Sequence, residues 1–266
     1  MKIHFRLETP SDYYAVEAMT REAFWRFWES DRQICDEHLL VHKLRQSPAF
    51  VPELDFVALL DGRIIGHIIY TKSKVVDDDS KCHETLTFGP LTVLPEHQGR
   101  DAGRAIMQHS FDTARHLGYP AIIIFGHPDY YPRIGFRPAS EFGISTSDGA
   151  SFDAFMALPL YDGALDGISG HFFAAEVYEQ TTQEQALAFD KQFPSKPPHT
   201  HTPIGVLTER LQPTAARVIS DLNLPSLDCL RAKSVRELSQ TEGIDADAIK
   251  TIRLVMREQG YNWGRA

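Results

Sequence analysis

The sequence predicts a mixed α/β domain followed by a small all-α one, and three observations carry that reading. Across residues 1–193, short apolar runs of strand character alternate with helix-spaced stretches. One apolar strand, Leu91-Thr92-Val93-Leu94, runs into the glycine-bearing turn Gln98-Gly99-Arg100-Asp101-Ala102-Gly103-Arg104 and then into a helix. Pro194, Pro197, Pro198 and Pro203 crowd residues 194–203, and beyond them only helical periodicity remains.

Taken in order, Ile3 to Glu8 alternates as a first strand, and Ser11-Asp12 is placed to cap a helix with apolar positions Ala15, Ala18, Met19 and Phe24. A second helix is expected at Glu37 to Gln46. Leu54 to Leu60 and Arg63 to Tyr70 flank Asp61-Gly62, a hairpin signal, with Val75-Val76 extending the second strand. Asp77-Asp78-Asp79-Ser80 reads as a solvated turn rather than a metal site, since no ligand-spaced partner follows. Glu84 to Val93 is the next strand, broken at Gly89-Pro90, where a bulge is expected. After the turn comes a helix with apolar positions Ile106, Met107, Phe111, Ala114 and Leu117. The unbroken run Ala121 to Phe125 suits a strand buried on both faces. Phe152 to Leu158 and His171 to Tyr178 alternate as late strands, and Gln183 to Gln192 closes the domain as a helix.

The net charge of −9 over 266 residues argues against a protein built for bulk nucleic-acid or anionic-membrane binding. Residues 204–266 hold nine Lys/Arg and eight Asp/Glu, +1, so residues 1–203 carry −9 − 1 = −10. Cys35, Cys82 and Cys229 are odd in number and far apart, which indicates neither a disulfide framework nor a thiolate metal site. The start lacks the apolar core of a signal peptide, and no apolar run approaches the ~20 residues that span a bilayer. A soluble cytoplasmic protein without a metal is the expectation.

The strand-turn-helix reads as a pyrophosphate cradle. The helix presents its first-turn N–H groups and the positive end of its dipole at the turn, which favours an anion there. Gly99 and Gly103 allow close backbone approach, and Arg100 and Arg104 add donors suited to phosphate oxygens. Downstream lies Tyr130-Tyr131-Pro132-Arg133-Ile134-Gly135-Phe136, a Tyr-x-x-x-Gly-Phe arrangement.

These two segments, in this order and spacing, resemble the GCN5-related N-acetyltransferase (GNAT) superfamily, and the string Gly126 to Phe136 looks like its bacterial YhbS-type branch. The resemblance covers about residues 1 to 192 and includes Phe155 to Leu160 with the Asp162-Gly163-Ala164-Leu165 turn. It implies a mixed, mostly antiparallel sheet flanked by helices, and transfer of an acetyl group from acetyl-CoA to an amine of a small molecule or protein. Leu91, Thr92 and Val93 would pair with the pantetheine arm, and Gln98, Gly99, Arg100, Asp101, Ala102, Gly103 and Arg104 would hold the pyrophosphate. Tyr131 would donate a proton to the departing thiolate. Asp101 departs from the family's Gln/Arg-x-x-Gly-x-Gly/Ala loop, standing where its first glycine belongs. A carboxylate about 6 Å from a phosphate costs at most ~3 kcal/mol at an effective dielectric of ~20. That departure keeps open a competing expectation, a non-catalytic GNAT-fold regulatory or binding protein. A homodimer is left open.

Some relatives place a general base six residues before the strand end, here Thr87; Glu84 is three residues off and needs a bulge to share its face. A water-mediated base is expected instead. His38, His42, His199 and His201 read as surface histidines, while His127 is a candidate through its neighbours. Trp25, Phe27 and Trp28 read as core packing, with an acceptor pocket as the alternative.

In the last segment, helical spacing recurs at Ala215, Val218, Ile219 and Leu222, at Leu227, Leu230, Val235 and Leu238, and at Ile249, Ile252, Leu254 and Val255. Leu227 to Leu238 resembles the helical C-terminal domain of the bacterial RNA polymerase alpha subunit. Gly243-Ile244-Asp245 followed by Ala248-Ile249 resembles a helix-hairpin-helix turn with Asp245 in place of its second glycine. Balanced charge favours docking to protein or to the first domain over nucleic acid. The expected division is residues 1–193, a linker at 194–203 and a helical module at 204–266, folding independently.

Overall fold

A computed structural model of the chain describes residues 3–25, 34–196, 202–231, 233–259, 261 and 263. Strand β1 (His4–Leu7) is followed by helices α1 (Tyr13–Phe24) and α2 (Glu37–Leu44). Strands β2 (Phe56–Leu60) and β3 (Arg63–Ile68) form the expected hairpin, with Asp61 and Gly62 both at positive φ as its two-residue turn demands. The continuation after β3 is a strand of its own: the chain changes partners at Ile69, and β4 (Tyr70–Val76) pairs with β5 (Cys82–Phe88) across the Asp77–Ser80 turn. The strand expected over Glu84 to Val93 is instead two, β5 and β6 (Thr92–Val93), which the break at Gly89-Pro90 sends to different sheets rather than bridging as a bulge.

The single sheet implied by the sequence divides in two. One portion runs β1-β2-β3-β6; the other runs β8-β10-β7-β5-β4-β11-β9, where β7 is Ala121–Phe125, β8 Arg137–Pro138, β9 Ile144–Ser145, β10 Phe155–Pro159 and β11 Gly170–Phe173. Pairing is antiparallel except for β5 with β7 and β9 with β11. The late strands are shorter than the alternation predicts. Helix α3 (Ala102–His116) packs Ile106, Met107, Phe111 and Ala114 into the main core, while Leu117 is exposed. Helix α4 (Gln183–Asp190) starts in a capping box between Thr182 and Gln185.

Two more expectations shift. On α1 the buried residues are Val16, Glu17, Met19, Thr20, Arg21 and Ala23, and Ala15 is exposed. Asp12 precedes α1 as expected but does not cap it, because its carboxylate is held by Arg6 (2.6 and 2.9 Å) and by the Thr9 amide (2.9 Å).

Past the proline-rich stretch, α5 (Gly205–Thr208), α6 (Pro213–Asp221), α7 (Leu227–Arg231), α8 (Val235–Ser239) and α9 (Ala246–Glu258) bury Leu207, Ile219, Leu227, Leu230, Ile252 and Val255 in an apolar cluster made only of residues from this segment. Leu254 is exposed rather than part of it. No helix among the described residues is long and apolar enough to cross a membrane.

Candidate active site

The split between the sheets opens a cleft. Strand β5 lies beside β7 at Leu86 and Ile122, but past Phe88 the chain turns at Gly89-Pro90 and β6 pairs with β3 instead. Strand β6 is therefore an end strand of its sheet, with one edge facing the divergence from β7. A cavity of about 650 Å³ fills that divergence, within the range of small-molecule sites. Leu91 and Val93 form one wall, Ile124 to His127 the other, and the first turn of α3 closes one end.

Asp101 precedes α3 in the left-handed conformation (φ 62°, ψ 1°) and its side chain caps nothing. The first helical bond runs from the Ala105 amide to the Asp101 carbonyl (2.9 Å), which leaves the amides of Ala102, Gly103 and Arg104 without a side-chain cap. Gln98 braces the loop, its Nε2 donating to the Val93 carbonyl at 3.0 Å. Of the cradle residues, Leu91, Val93, Gln98, Gly99, Asp101, Gly103 and Arg104 line the cavity. Three are not in its wall. Thr92 turns to the opposite face and bonds Thr20 (3.0 Å), as strand alternation requires; Ala102 is buried in the core; Arg100 is exposed.

Tyr131 lines the cavity from the short 3₁₀ turn Tyr131–Ile134, among the rings of Phe88, Tyr130 and Phe136 at centroid distances of 6.0, 5.1 and 5.4 Å. Burial pushes its phenol well above the ordinary tyrosine range, and its hydroxyl has no hydrogen-bond partner among the described residues. Gly126 makes room for this ring, since a Cβ there would lie 2.4 Å from Tyr131 Cδ2. Tyr130 serves the other end of the cleft. Its hydroxyl lies 3.4 Å from where a Cβ on Gly103 would stand, over the first turn of α3.

Glu84 is not at the cavity. It pairs with Lys72 (3.1 Å), four residues, or roughly 13 Å of strand, before the lining residue Phe88. Thr87 is buried. His127 lines the wall and accepts the Asp129 amide on Nδ1 (3.2 Å). The sequence reading missed Phe24, Asp129, Arg133 and Trp263, all in the lining; only spatial folding brings Trp263 there.

His38 corrects a surface assignment: it is fully buried, 3.3 Å from Asp190, and burial lowers it to about 4. Cys35 Sγ stands 3.8 Å from His38 Nδ1, so cysteine, histidine and aspartate align away from the cleft; burial pushes the thiol far up, which removes the thiolate a nucleophile needs. His42 is half-exposed against Glu17 (3.0 Å). Trp25 is buried under the Arg21 guanidinium (4.5 Å) as core packing. Phe27, Trp28, His199 and His201 lie outside the described residues.

Comparisons with known proteins bear on this cleft. The model of the acetyltransferase (GNAT) family matches residues 18–136. The N-acetyltransferase YhbS of Escherichia coli strain K12 is 30% identical over 166 residues, 62% of this chain and 92% of that protein. The crystal structure of E. coli YhbS in complex with CoA matches with a TM-score of 0.58 at 26% identity, covering 68% of this chain and 94% of that one. A GNAT family acetyltransferase from Brucella melitensis, solved with acetyl-CoA, shares the fold at a TM-score of 0.52 and 23% identity, over 66% of this chain and 98% of that one.

Proposed function

The chain belongs to the acetyltransferase (GNAT) family, and on that premise we propose that it transfers an acetyl group from acetyl-CoA to an amine, with the divergence of β6 and β7 as the cofactor cleft. The observation that carries this reading is the uncapped first turn of α3 at the end of a cavity of about 650 Å³ walled by a free strand edge. The amides of residues 102–104 and the Arg104 side chain suit a pyrophosphate, and the backbone of Leu91 to Val93 suits an amide-bearing arm laid along β6. Thr92, Arg100 and Ala102 would then act through backbone or long-range charge rather than as wall side chains.

In this reading the amine attacks the thioester carbonyl directly. A C–N bond forms, the C–S bond breaks, and the thiolate leaves toward the Tyr131 hydroxyl. Because burial raises that phenol further above a thiol's ordinary range, Tyr131 acts as a hydrogen-bond donor to the developing negative charge and keeps its own proton, the thiolate taking its proton from water. The amine's surplus proton goes to water, since Glu84 and Thr87 do not reach the cavity. The acceptor is a small-molecule or protein amine.

The division into residues 1–193, 194–203 and 204–266 is part of this proposal, supported by the separate apolar cluster of the last segment. A protein-docking role for that segment is supported over a nucleic-acid one by Asp245, whose carboxylate takes up the Ala248 amide (2.7 Å) that a phosphate would otherwise meet. A soluble, cytoplasmic setting completes the reading.

Calorimetric titration with acetyl-CoA tests the core of it, and no binding at millimolar cofactor would sink it. Tyr131→Phe is expected to lower kcat by ~10²-fold while acetyl-CoA affinity holds, because only a donor is lost. Equal turnover in the variant would reassign Tyr131 to packing.

A further inference from the structure

The C-terminal helices reach the cleft at one identifiable point. Val235 donates its amide to Asp129 Oδ2 (2.7 Å), and Asp129 is a lining residue on the loop between β7 and the Tyr131 turn. Two residues before Val235, the Lys233 carbonyl accepts the indole N–H of Trp263 (2.7 Å). Trp263, 4% exposed, is therefore anchored beside Asp129, and it is itself part of the cavity lining. The cavity keeps its volume of about 650 Å³ with the indole in its wall, so the segment borders the cleft rather than plugging it.

The position along the cleft follows from neighbours. Asp129 adjoins Tyr130, whose hydroxyl lies over Gly103 in the first turn of α3. Trp263, Asp129, Tyr130 and the phosphate loop thus share one mouth. A ligand with its pyrophosphate on that turn carries its thioester inward and its nucleotide outward, past this mouth.

We propose that Trp263, held by the Asp129–Val235 clamp, contacts the nucleotide end of bound acetyl-CoA, making the C-terminal segment a wall of the cofactor site. This rests on the cleft being the acetyl-CoA site. At 4% exposed the indole presents only an apolar edge to the cavity, the rest of the ring being packed in the segment's own core, and it needs no further hydrogen bond because its N–H is already used.

The test compares, on the full chain, the calorimetric affinity for acetyl-CoA with that for S-acetylpantetheine, which carries the same thioester without the nucleotide. Trp263→Ala is expected to weaken acetyl-CoA binding by about threefold, the size of a small lost apolar contact, and to leave S-acetylpantetheine unchanged. Trp263→Phe should retain most of the affinity. Asp129→Ala, which leaves the segment's core untouched, should reproduce the selective loss, and the double variant should lose no more than either single one. Because Trp263 also packs in the segment's core, circular dichroism checks each variant, and Trp263→Phe with Asp129→Ala answer the question if Trp263→Ala unfolds. Unchanged acetyl-CoA affinity in the folded variants, or equal weakening toward both donors, overturns the proposal. A wild-type chain that binds S-acetylpantetheine and acetyl-CoA equally overturns it together with the pyrophosphate role of the α3 turn, while sparing β6 as the site of the thioester arm; one that binds neither overturns the cleft reading as well.

Discussion

Helices α3 and α9 each begin behind an aspartate, and the two aspartates do opposite things. Asp245 sits in extended backbone (φ −91°, ψ 178°) and its carboxylate accepts the Ala248 amide. Asp101 sits left-handed (φ 62°, ψ 1°), which swings its Cβ away from the helix axis, and it caps nothing. The same residue type therefore closes one helix end and leaves the other open to a ligand. Backbone conformation decides between them. At the cleft, Gly99 and Asp101 both hold positive φ, so Asp101 takes up the backbone conformation that a glycine would adopt more easily at this place in the loop.

A third carboxylate extends the comparison, because it neither caps nor faces solvent. The Glu8 side chain is 0% exposed and shares the guanidinium of Arg45 with Glu17, at 2.7 Å and 2.6 Å, while Asp55 and His67 lie within 4.8 Å of Glu8. His67 adds its Nε2 to Asp55 at 2.8 Å, while its buried Nδ1 has no partner and burial lowers it to about 4, so it stays neutral. Glu8 and Asp55, buried side by side, are costly to hold as two anions. Burial raises Glu8 to about 7 and Asp55 to about 6, and the pair takes up a proton near neutrality. A carboxyl raised in the folded state contributes stability that is fully present below its unfolded value, 4.5 for Glu8, and lost as pH rises through about 7. This is the largest effect expected. Wild-type stability should fall between about pH 4.5 and 7, by up to ~1.4 kcal/mol per pH unit for one proton, and Glu8→Gln should flatten that slope. Denaturant midpoints measured across this range check it, and an equal slope in the variant places the proton elsewhere.

The next effect is at the open end. Asp101→Gly removes like charge from beside the phosphate loop and supplies the residue that adopts positive φ without strain. Acetyl-CoA affinity should rise by up to ~2 kcal/mol, about thirtyfold. Unchanged affinity by calorimetry would mean that the carboxylate, being exposed, is screened from the ligand.

Much of this was readable before any fold was in hand, and the reasons are local. The hairpin at Asp61-Gly62, the break at Gly89-Pro90 and the strand-turn-helix around Gly99 announce themselves because glycine, proline and an apolar run constrain their own neighbours. The face of α1 was misread because two of its buried positions, Glu17 and Arg21, are charged. Each is inside only because a distant partner, Arg45 or Asp190, neutralises it. His38 was misplaced at the surface for the same reason, since hydrophobicity cannot register a polar group that finds its partner through the fold. Trp263 was passed over because its arrival at the cleft depends on Val235 meeting Asp129, a contact between segments with no shared pattern.

The smallest effect belongs to the closed end. Asp245→Ala removes the one side-chain cap of α9 and leaves the Ala248 amide to water, which costs ~1 kcal/mol at helix N-termini. In a segment of this size, whose core is Leu227, Leu230, Ile252, Val255 and their neighbours, that is a measurable share of stability. Thermal unfolding of the full chain followed by helical signal should show an earlier transition for the C-terminal helices, with the acetyl-CoA affinity of the folded protein preserved. Asp245→Gly should lose less, because glycine is tolerated at this position and lets water reach the amides. The pair of variants also tests the comparison itself: Asp101→Gly and Asp245→Gly make the same chemical change, yet the first should gain ligand affinity and the second should lose stability. If Asp245→Gly proved as stable as wild type and bound duplex DNA at physiological salt, the capping carboxylate would instead be a guard on a phosphate site, and the two helix ends would be alike after all.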